Sequence, residues 1–146
     1  MATVQDILER KGGKVFTIDP SATALDAIEK MNHHRIGSLV VMDADQVAGI
    51  FTERDVLKRV AGSDRRPGEI LVAEVMTGDV ACCAPDADVD EVGALMKERR
   101  IRHVPVCGGD DGRLVGLISI GDINAHHASA QAATIHFLND YIYGRV

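Results

Sequence analysis

The sequence predicts an α/β chain of two tandem β-α-β-β-α repeats, packed by pseudo-twofold symmetry and followed by a C-terminal helix. Three observations carry this reading. A shift of 65 residues superposes Pro20 on Pro85, Ala22 on Ala87, Met31 on Met96, Arg35 on Arg100, Ile36 on Ile101 and Val41 on Val106. Beyond a loop two residues longer in the second copy, a shift of 67 pairs Gly49 with Gly116, Thr52 with Ser119 and Asp55 with Asp122. Apolar residues then follow helix and strand spacing in the same order in both copies.

In the first copy, Val15 to Ile18 reads as a short strand and Asp19-Pro20-Ser21 as the turn into a helix, with Ser21 or Thr23 as N-cap. Ala24, Leu25, Ile28 and Met31 keep one helical face until His33 to Gly37 ends the helix. Ser38 to Met42 is a strand, Asp43 to Gln46 a turn, and Val47 to Phe51 a second strand. A helix then starts near Thr52 and carries Val56, Leu57 and Val60. The second copy predicts a strand over Val80 to Cys83, a helix near Val89 to Arg99, strands over Val104 to Cys107 and Leu114 to Ile118, and a helix from Ser119. A single copy would leave a sheet face and two helix stripes uncovered, so the two should pack together.

These elements divide the chain into a first repeat with an N-terminal segment (1–62), a linker with a short helix over Ile70 to Met76 (63–76), a second repeat (77–126) and a helical tail (127–146). Along the tail, Ala128, Ala132, Ile135, Leu138 and Ile142 keep helical spacing. Its own module and a second subunit are equally good partners for that face.

Composition narrows the function. The 146 residues are 46% hydrophobic and 26% charged, ordinary values for a folded chain that excludes disorder. A net charge of −6 with 3% aromatic residues and no Trp lacks both a basic face and a stacking platform, which argues against nucleic acid. The N-terminus builds no signal-peptide core and no stretch approaches the ~20 apolar residues that cross a bilayer, so no membrane is expected. Cys82, Cys83 and Cys107 make a poor disulfide framework and point to a reducing cytoplasm.

Each copy ends in Gly-x-x-Thr/Ser-x-x-Asp, where a strand runs into a helix. Free N–H groups there favour anions, Thr52 adds a hydroxyl, and Arg54 can fork onto phosphate oxygens. Asp55 has two possible uses. It can close a capping box on Thr52, or it can accept hydrogen bonds from a ribose diol. Recurrence of the same arrangement at Ser119 and Asp122 favours the second.

With these motifs in register, the sequence resembles a tandem pair of cystathionine β-synthase (CBS) domains over roughly Val15 to Ala125, and in particular the stand-alone bacterial regulatory modules. The similarity to that subgroup extends to Tyr141-Ile142-Tyr143-Gly144. The resemblance implies that Asp55 and Asp122 hold ribose hydroxyls, that Thr52 and Ser119 face phosphate, and that Arg54 contacts phosphate. Gly121 stands where the second copy would need that Arg, leaving Arg100, Arg102 or His103 to replace it. The resemblance further implies an adenine slot at Val15, Phe16, Gly37, Ser38 and Leu39 in copy one, and at Val80, Ala81, Arg102, His103 and Val104 in copy two. The implied ligand is AMP or NAD(H), with ATP and S-adenosylmethionine as further candidates. The implied assembly is a homodimer that signals to a separate, unidentified protein client.

Other patterns carry less. Asp86-x-Asp88-x-Asp90 begins like a calcium loop, but Glu91 and Lys97 occupy the positions of its Gly and bidentate Glu. His33-His34 and His126-His127 are adjacent pairs that diverge on a helix, so no metal is expected. Gly116-x-x-Ser119-x-Gly121 misses the nucleophile-elbow spacing, and no nucleophile–base pair recurs in both copies, so no enzyme is expected. The competing reading is a structural or protein-interaction module whose capping boxes only cap.

Overall fold

The computed structural model describes residues 1–144; the last two tail positions, Arg145 and Val146, lie outside the described residues. The order of elements is α1 (Val4–Lys11), β1 (Thr17–Ile18), α2 (Ala24–His34), β2 (Ser38–Asp43), β3 (Gln46–Thr52), α3 (Glu53–Asp55) running on as a π-helical turn (Val56–Val60), a 3-10 turn (Pro67–Glu69), α4 (Val72–Val75), α5 (Val89–Arg99), β4 (His103–Gly108), β5 (Arg113–Ser119) and α6 (Ile120–Tyr143). The predicted repeat order is present, with one three-stranded sheet, β1-β2-β3, and one two-stranded sheet, β4-β5.

The two helices α2 and α5 are equivalent turn by turn. Thr23 caps α2 through Asp26, with Asp26 N–H donating to Thr23 Oγ1 at 3.0 Å and Thr23 N–H to Asp26 Oδ2 at 3.1 Å. Ser21 has another role, donating to Asp19 Oδ1 from both its N–H and its hydroxyl. Ala24, Ala27 and Met31 are buried on α2, and Val89, Val92 and Met96 at the same offsets on α5. Leu25, expected on the core face, is instead 41% exposed and lies beside Gly68 of the linker, while Ala27 takes the core position. Both helices end on an arginine in the left-handed region, Arg35 and Arg100, each with φ 54°.

The first strand differs between copies. β1 runs parallel to β2, and Val40 N–H donates to Phe16 O at 3.1 Å. In copy two the expected strand over Val80 to Cys83 is reduced to a single parallel bridge, Cys83 with Val106. The cause is Pro105, which stands at the position of Val40 and has no N–H to offer Ala81 O. The helix expected after Thr52 is also modified. It holds one α turn and then widens, with Ala61 N–H donating to Val56 O at 2.8 Å, and Leu57 is 71% exposed.

Each repeat has its own core, and each core is closed by a segment from outside the repeat. Val4, Ile7 and Leu8 of α1 are buried against Val92, Met96, Val104, Val106, Ile118 and Ile123 of copy two. Ile70, Val72 and Val75 of the linker are buried against Ala27, Met31, Leu39, Val41 and Phe51 of copy one. Backbone hydrogen bonds repeat the exchange: Val4 N–H donates to Ala87 O and Val89 N–H to Ala2 O, as Val72 N–H donates to Ala22 O and Ala24 N–H to Ile70 O. The N-terminal segment thus belongs physically to the second repeat. On the other side, α6 runs unbroken from Ser119, its N-cap, to Tyr143 and joins the last helix of the repeat to the tail.

The motif glycines mark where these segments cross the sheets. A Cβ on Gly49 would lie 2.5 Å from the carbonyl oxygen of Thr77, and one on Gly116 would lie 2.6 Å from Leu8 Cδ2 of α1. At Gly49 the obstacle is backbone fixed by a reciprocal pair, Ile50 N–H to Thr77 O at 3.0 Å and Thr77 N–H to Ile50 O at 2.9 Å. At Gly116 it is a side chain that can change rotamer. We therefore expect Gly49→Ala to destabilise the fold by about 1–3 kcal/mol and Gly116→Ala by less, as measured by urea unfolding. An equal or reversed order would refute this account of the two glycines.

Candidate functional site

Strand β3 delivers Thr52 to the head of α3, and the start of that helix is pinned to the entry of β2, because Glu53 N–H donates to Gly37 O at 3.1 Å. The second copy repeats the contact from Ile120 N–H to Arg102 O at 2.8 Å. Asp55, one turn on, is 4% exposed. Its Oδ2 accepts from Thr52 N–H at 3.0 Å and from the Thr52 hydroxyl at 3.4 Å, and its Oδ1 accepts from the Thr77 hydroxyl at 3.3 Å. Arg59 Nε stands 3.9 Å from Oδ1. Two of these three hydrogen bonds come from neutral hydroxyls, which other hydroxyl groups can replace at little cost.

A cavity of about 540 Å³ opens on this carboxylate between the two repeats. Copy one contributes Gly37, Ile50, Thr52, Glu53, Arg54 and Asp55 to its wall. The start of the second repeat contributes Thr77, Asp79, Val80 and Ala81, and the passage from α5 to β4 contributes the run Arg99 to His103. The motif of copy one is thus joined with the slot residues of copy two, and the site is built crosswise. Four guanidinium-bearing residues, Arg54, Arg99, Arg100 and Arg102, share the wall with three acids, Glu53, Asp55 and Asp79. That local balance is opposite in sign to the net −6 of the chain. Burial pushes the His103 imidazole below its ordinary value, against the upward pull of Asp122 beside it.

The second motif has the same backbone and a different occupant. Ser119 N–H donates to Asp122 Oδ2 at 2.8 Å, and Asp122 N–H donates to Ser119 Oγ at 3.1 Å. The Lys11 ammonium reaches in from the end of α1 and donates to Asp122 Oδ2 at 2.7 Å and to Leu117 O at 2.9 Å. Burial raises the Asp122 pKa, but the hydrogen bonds from Lys11 and Ser119 outweigh it and hold the carboxyl below its ordinary 3.8. A Cβ on Gly121, in the first turn of α6, would lie 3.5 Å from Ser119 Oγ.

The remaining residues expected at a slot have varied positions. Val15 and Phe16 are half-buried, and the Phe16 ring is stacked on His34 at 4.1 Å with Lys14 Nζ 5.0 Å from its centroid. Ser38 is buried, Leu39 belongs to the first core and Val104 to the second. Sequence reasoning missed Thr77, Asp79, Arg99 and Lys11. Thr77, Asp79 and Lys11 reach the sites through the crossing of the segment after α4 and of α1, while Arg99 lies at the end of α5, outside the repeated motif. Cys82 is exposed, while burial first and the charge of Cys82 second push the Cys83 thiol up to about 11. Among the described residues no cluster of His, Cys, Asp or Glu could hold a metal ion, and no helix is long and apolar enough to cross a membrane.

Two equivalent repeats, each ending in a hydroxyl–carboxylate motif, with an interrepeat cavity at the first of these motifs, define a tandem CBS module. The CBS-domain family profile matches residues 3–62 and 72–127, and the chain belongs to that family. A CBS-domain protein of Burkholderia ambifaria MC40-6 superposes with a TM-score of 0.84 at 41% identity, covering 89% of this chain and 96% of that one. The CBS domain pair of MJ0100, solved in complex with 5′-methylthioadenosine and S-adenosyl-L-methionine, superposes with a TM-score of 0.75 at 28% identity over 86% of this chain and 99% of that one. YhcV of Bacillus subtilis, a CBS-domain protein, is 28% identical over 91% of both chains. The chain spans 56% of the length of a Methanopyrus kandleri relative to which it is 34% identical over 75% of its own residues.

The Lys11–Asp122 pair has a defined pH dependence. A carboxyl whose folded pKa is depressed adds stability that is fully present above its unfolded value, here 3.8, and is lost as pH falls through the folded value. With the Lys11 side chain 36% exposed and that of Asp122 20% exposed, the pair contributes no more than about 1 kcal/mol. Urea unfolding should show Lys11→Met less stable than the parent at pH 7, with the difference closing below pH 3.8. A difference that persists in acid would show that Lys11 acts through its aliphatic stem.

Proposed function

We propose that the chain is a regulatory module that binds an adenosine nucleotide in the cavity between its CBS repeats and passes its occupancy to a separate protein partner. The observation that carries this is Asp55, a buried carboxylate facing an interrepeat cavity, held mainly by hydroxyl groups and accompanied by four arginines. The hydroxyls of a ribose can take the place of the Thr52 and Thr77 hydroxyls on Asp55. Arg54, Arg100 and Arg102 supply planar forks for phosphate, and Val80, Ala81 and Ile101 supply apolar surface for a base. AMP, ATP and NAD(H) all fit this description. The adenosyl ligands of the MJ0100 pair support the same chemistry and keep S-adenosylmethionine among the candidates. The module has no catalytic role in this reading, and its free thiols suit a reducing cytoplasm.

One observation favours the competing reading of an interaction module without nucleotide: both Asp55 hydrogen bonds with Thr52 also serve local capping. Thermal melts with AMP, ATP, NAD⁺, NADH and S-adenosylmethionine separate the two. A ligand at a hundredfold excess over its Kd adds about 2.7 kcal/mol, a shift of several degrees for a chain of this size. The shift should appear with one adenosine compound and vanish in Asp55→Ala. No shift with any of them would leave the capping role alone.

The tail supports a homodimer. Ile135, Leu138 and Ile142, spaced along one side of α6, are 47–68% exposed, and Phe137 and Tyr141 are exposed beside them. A row of this length on the end of a helix beyond the second core is suited to a second copy. Sedimentation of the full chain should give a dimer, and a chain ending at Thr134 should give a monomer with its thermal unfolding retained. A dimer that survives the truncation would place the contact elsewhere.

A further inference from the structure

We infer that the second of the two pseudo-symmetric clefts is closed by the chain itself: Lys11 occupies the Asp122 carboxylate, so the module takes one nucleotide and takes it at Asp55. The inference rests on the nucleotide reading of the paired motifs and adds which of them is available. The two carboxylates hold the same place in the repeat, and each accepts a backbone N–H from its own N-cap, Thr52 or Ser119. They differ in what else they hold. Asp55 has the Thr77 hydroxyl at 3.3 Å, from the segment that follows α4. Asp122 has the Lys11 ammonium at 2.7 Å, from the equivalent end of α1.

A ribose diol replaces a neutral hydroxyl by an equal exchange of hydrogen bonds. To replace Lys11 it would have to displace a charge-assisted hydrogen bond of 2.7 Å and leave Leu117 O as the ammonium's remaining partner. The backbone that carries Lys11 is held beside Asp122, because α1 is fastened by Val4, Ile7 and Leu8 in the second core, and the neighbouring Arg10 Nη2 lies 2.7 Å from His126 Nδ1 on α6. Gly121 offers no cation in place of Arg54.

The test is calorimetric titration of the full chain with AMP, and with adenosine, whose binding does not need the missing phosphate contact. The parent protein should bind one ligand per chain, and Asp55→Ala should bind none. Lys11→Met, which keeps the aliphatic stem but not the ammonium, should bind two, and Lys11→Met combined with Asp55→Ala should bind one. Circular dichroism confirms that each variant is folded, and Lys11→Gln serves as the second variant if Lys11→Met is not. Two ligands per chain in the parent would overturn the inference while leaving the nucleotide reading intact. So would one ligand per chain in both folded Lys11 variants. Absence of binding in the parent and in every variant would overturn the nucleotide reading itself, and this inference with it.

Discussion

The structure depends on an exchange: each repeat's core is completed by the segment that precedes the other repeat. Val4, Ile7 and Leu8 close the second core, and Ile70, Val72 and Val75 close the first. Each fully buried aliphatic side chain of this kind is worth about 1.5–3 kcal/mol, so the six exchanged residues together are comparable to the whole net stability typical of a domain. Neither repeat is expected to be stable without the segment it borrows, and the two must fold together. The exchange also fixes the geometry between the repeats, because the chain can bridge the cores only by running across the sheets at Gly49 and Gly116.

That crossing makes the sites. After α4 the linker passes over β3, pairs at Ile50 and Thr77, and sets the Thr77 hydroxyl on Asp55 before continuing as Asp79, Val80 and Ala81 along the cavity wall. The end of α1 passes over β5 in the equivalent way and sets Lys11 on Asp122 and on Leu117 O. Ile50 O and Leu117 O are equivalent carbonyls, one satisfied by a backbone N–H and the other by an ammonium. A twofold frame therefore yields two carboxylates with unlike partners. The difference originates in α1 and the linker, which lie outside the repeated units and are free to diverge.

What could be read from the sequence follows from the same distinction. The repeat, the helices α2 and α5 and the paired strands were legible because their signals are local: apolar period, a cap such as Thr23, a turn such as Asp43 to Gln46. Thr52, Asp55, Ser119 and Asp122 were legible because they recur. The short first strand of copy two was not, because the fault lies on the neighbouring strand, where Pro105 lacks the donor that Val40 supplies in copy one. The packing of α1 on the second repeat was not legible either, since its apolar face at Val4, Ile7 and Leu8 is equally consistent with either core. Leu25 and Ala27 exchanged roles because they flank the stripe of Ala24, Ile28 and Met31 on opposite sides, and the spacing alone does not say which flank the core covers. The crosswise composition of the cavity depends on all of these long-range contacts at once.

The position of the cavity also bears on how occupancy could leave the module. Its wall from Arg99 to His103 is the short passage from α5 to β4, turned through Arg100 in the left-handed region. For a non-glycine residue that conformation costs roughly 1–2 kcal/mol and persists only where its surroundings hold it. One of those holds is Arg102 O, which receives the N–H of Ile120 at the head of α6. The helix with the exposed apolar row is thus hung from the same segment that would grip a phosphate. Under the nucleotide reading, a ligand that contacts Arg100 and Arg102 differently in two arrangements of this passage biases the placement of α6 by that difference in affinity. A partner or second copy that grips α6 in one arrangement must in turn alter ligand affinity by the same factor.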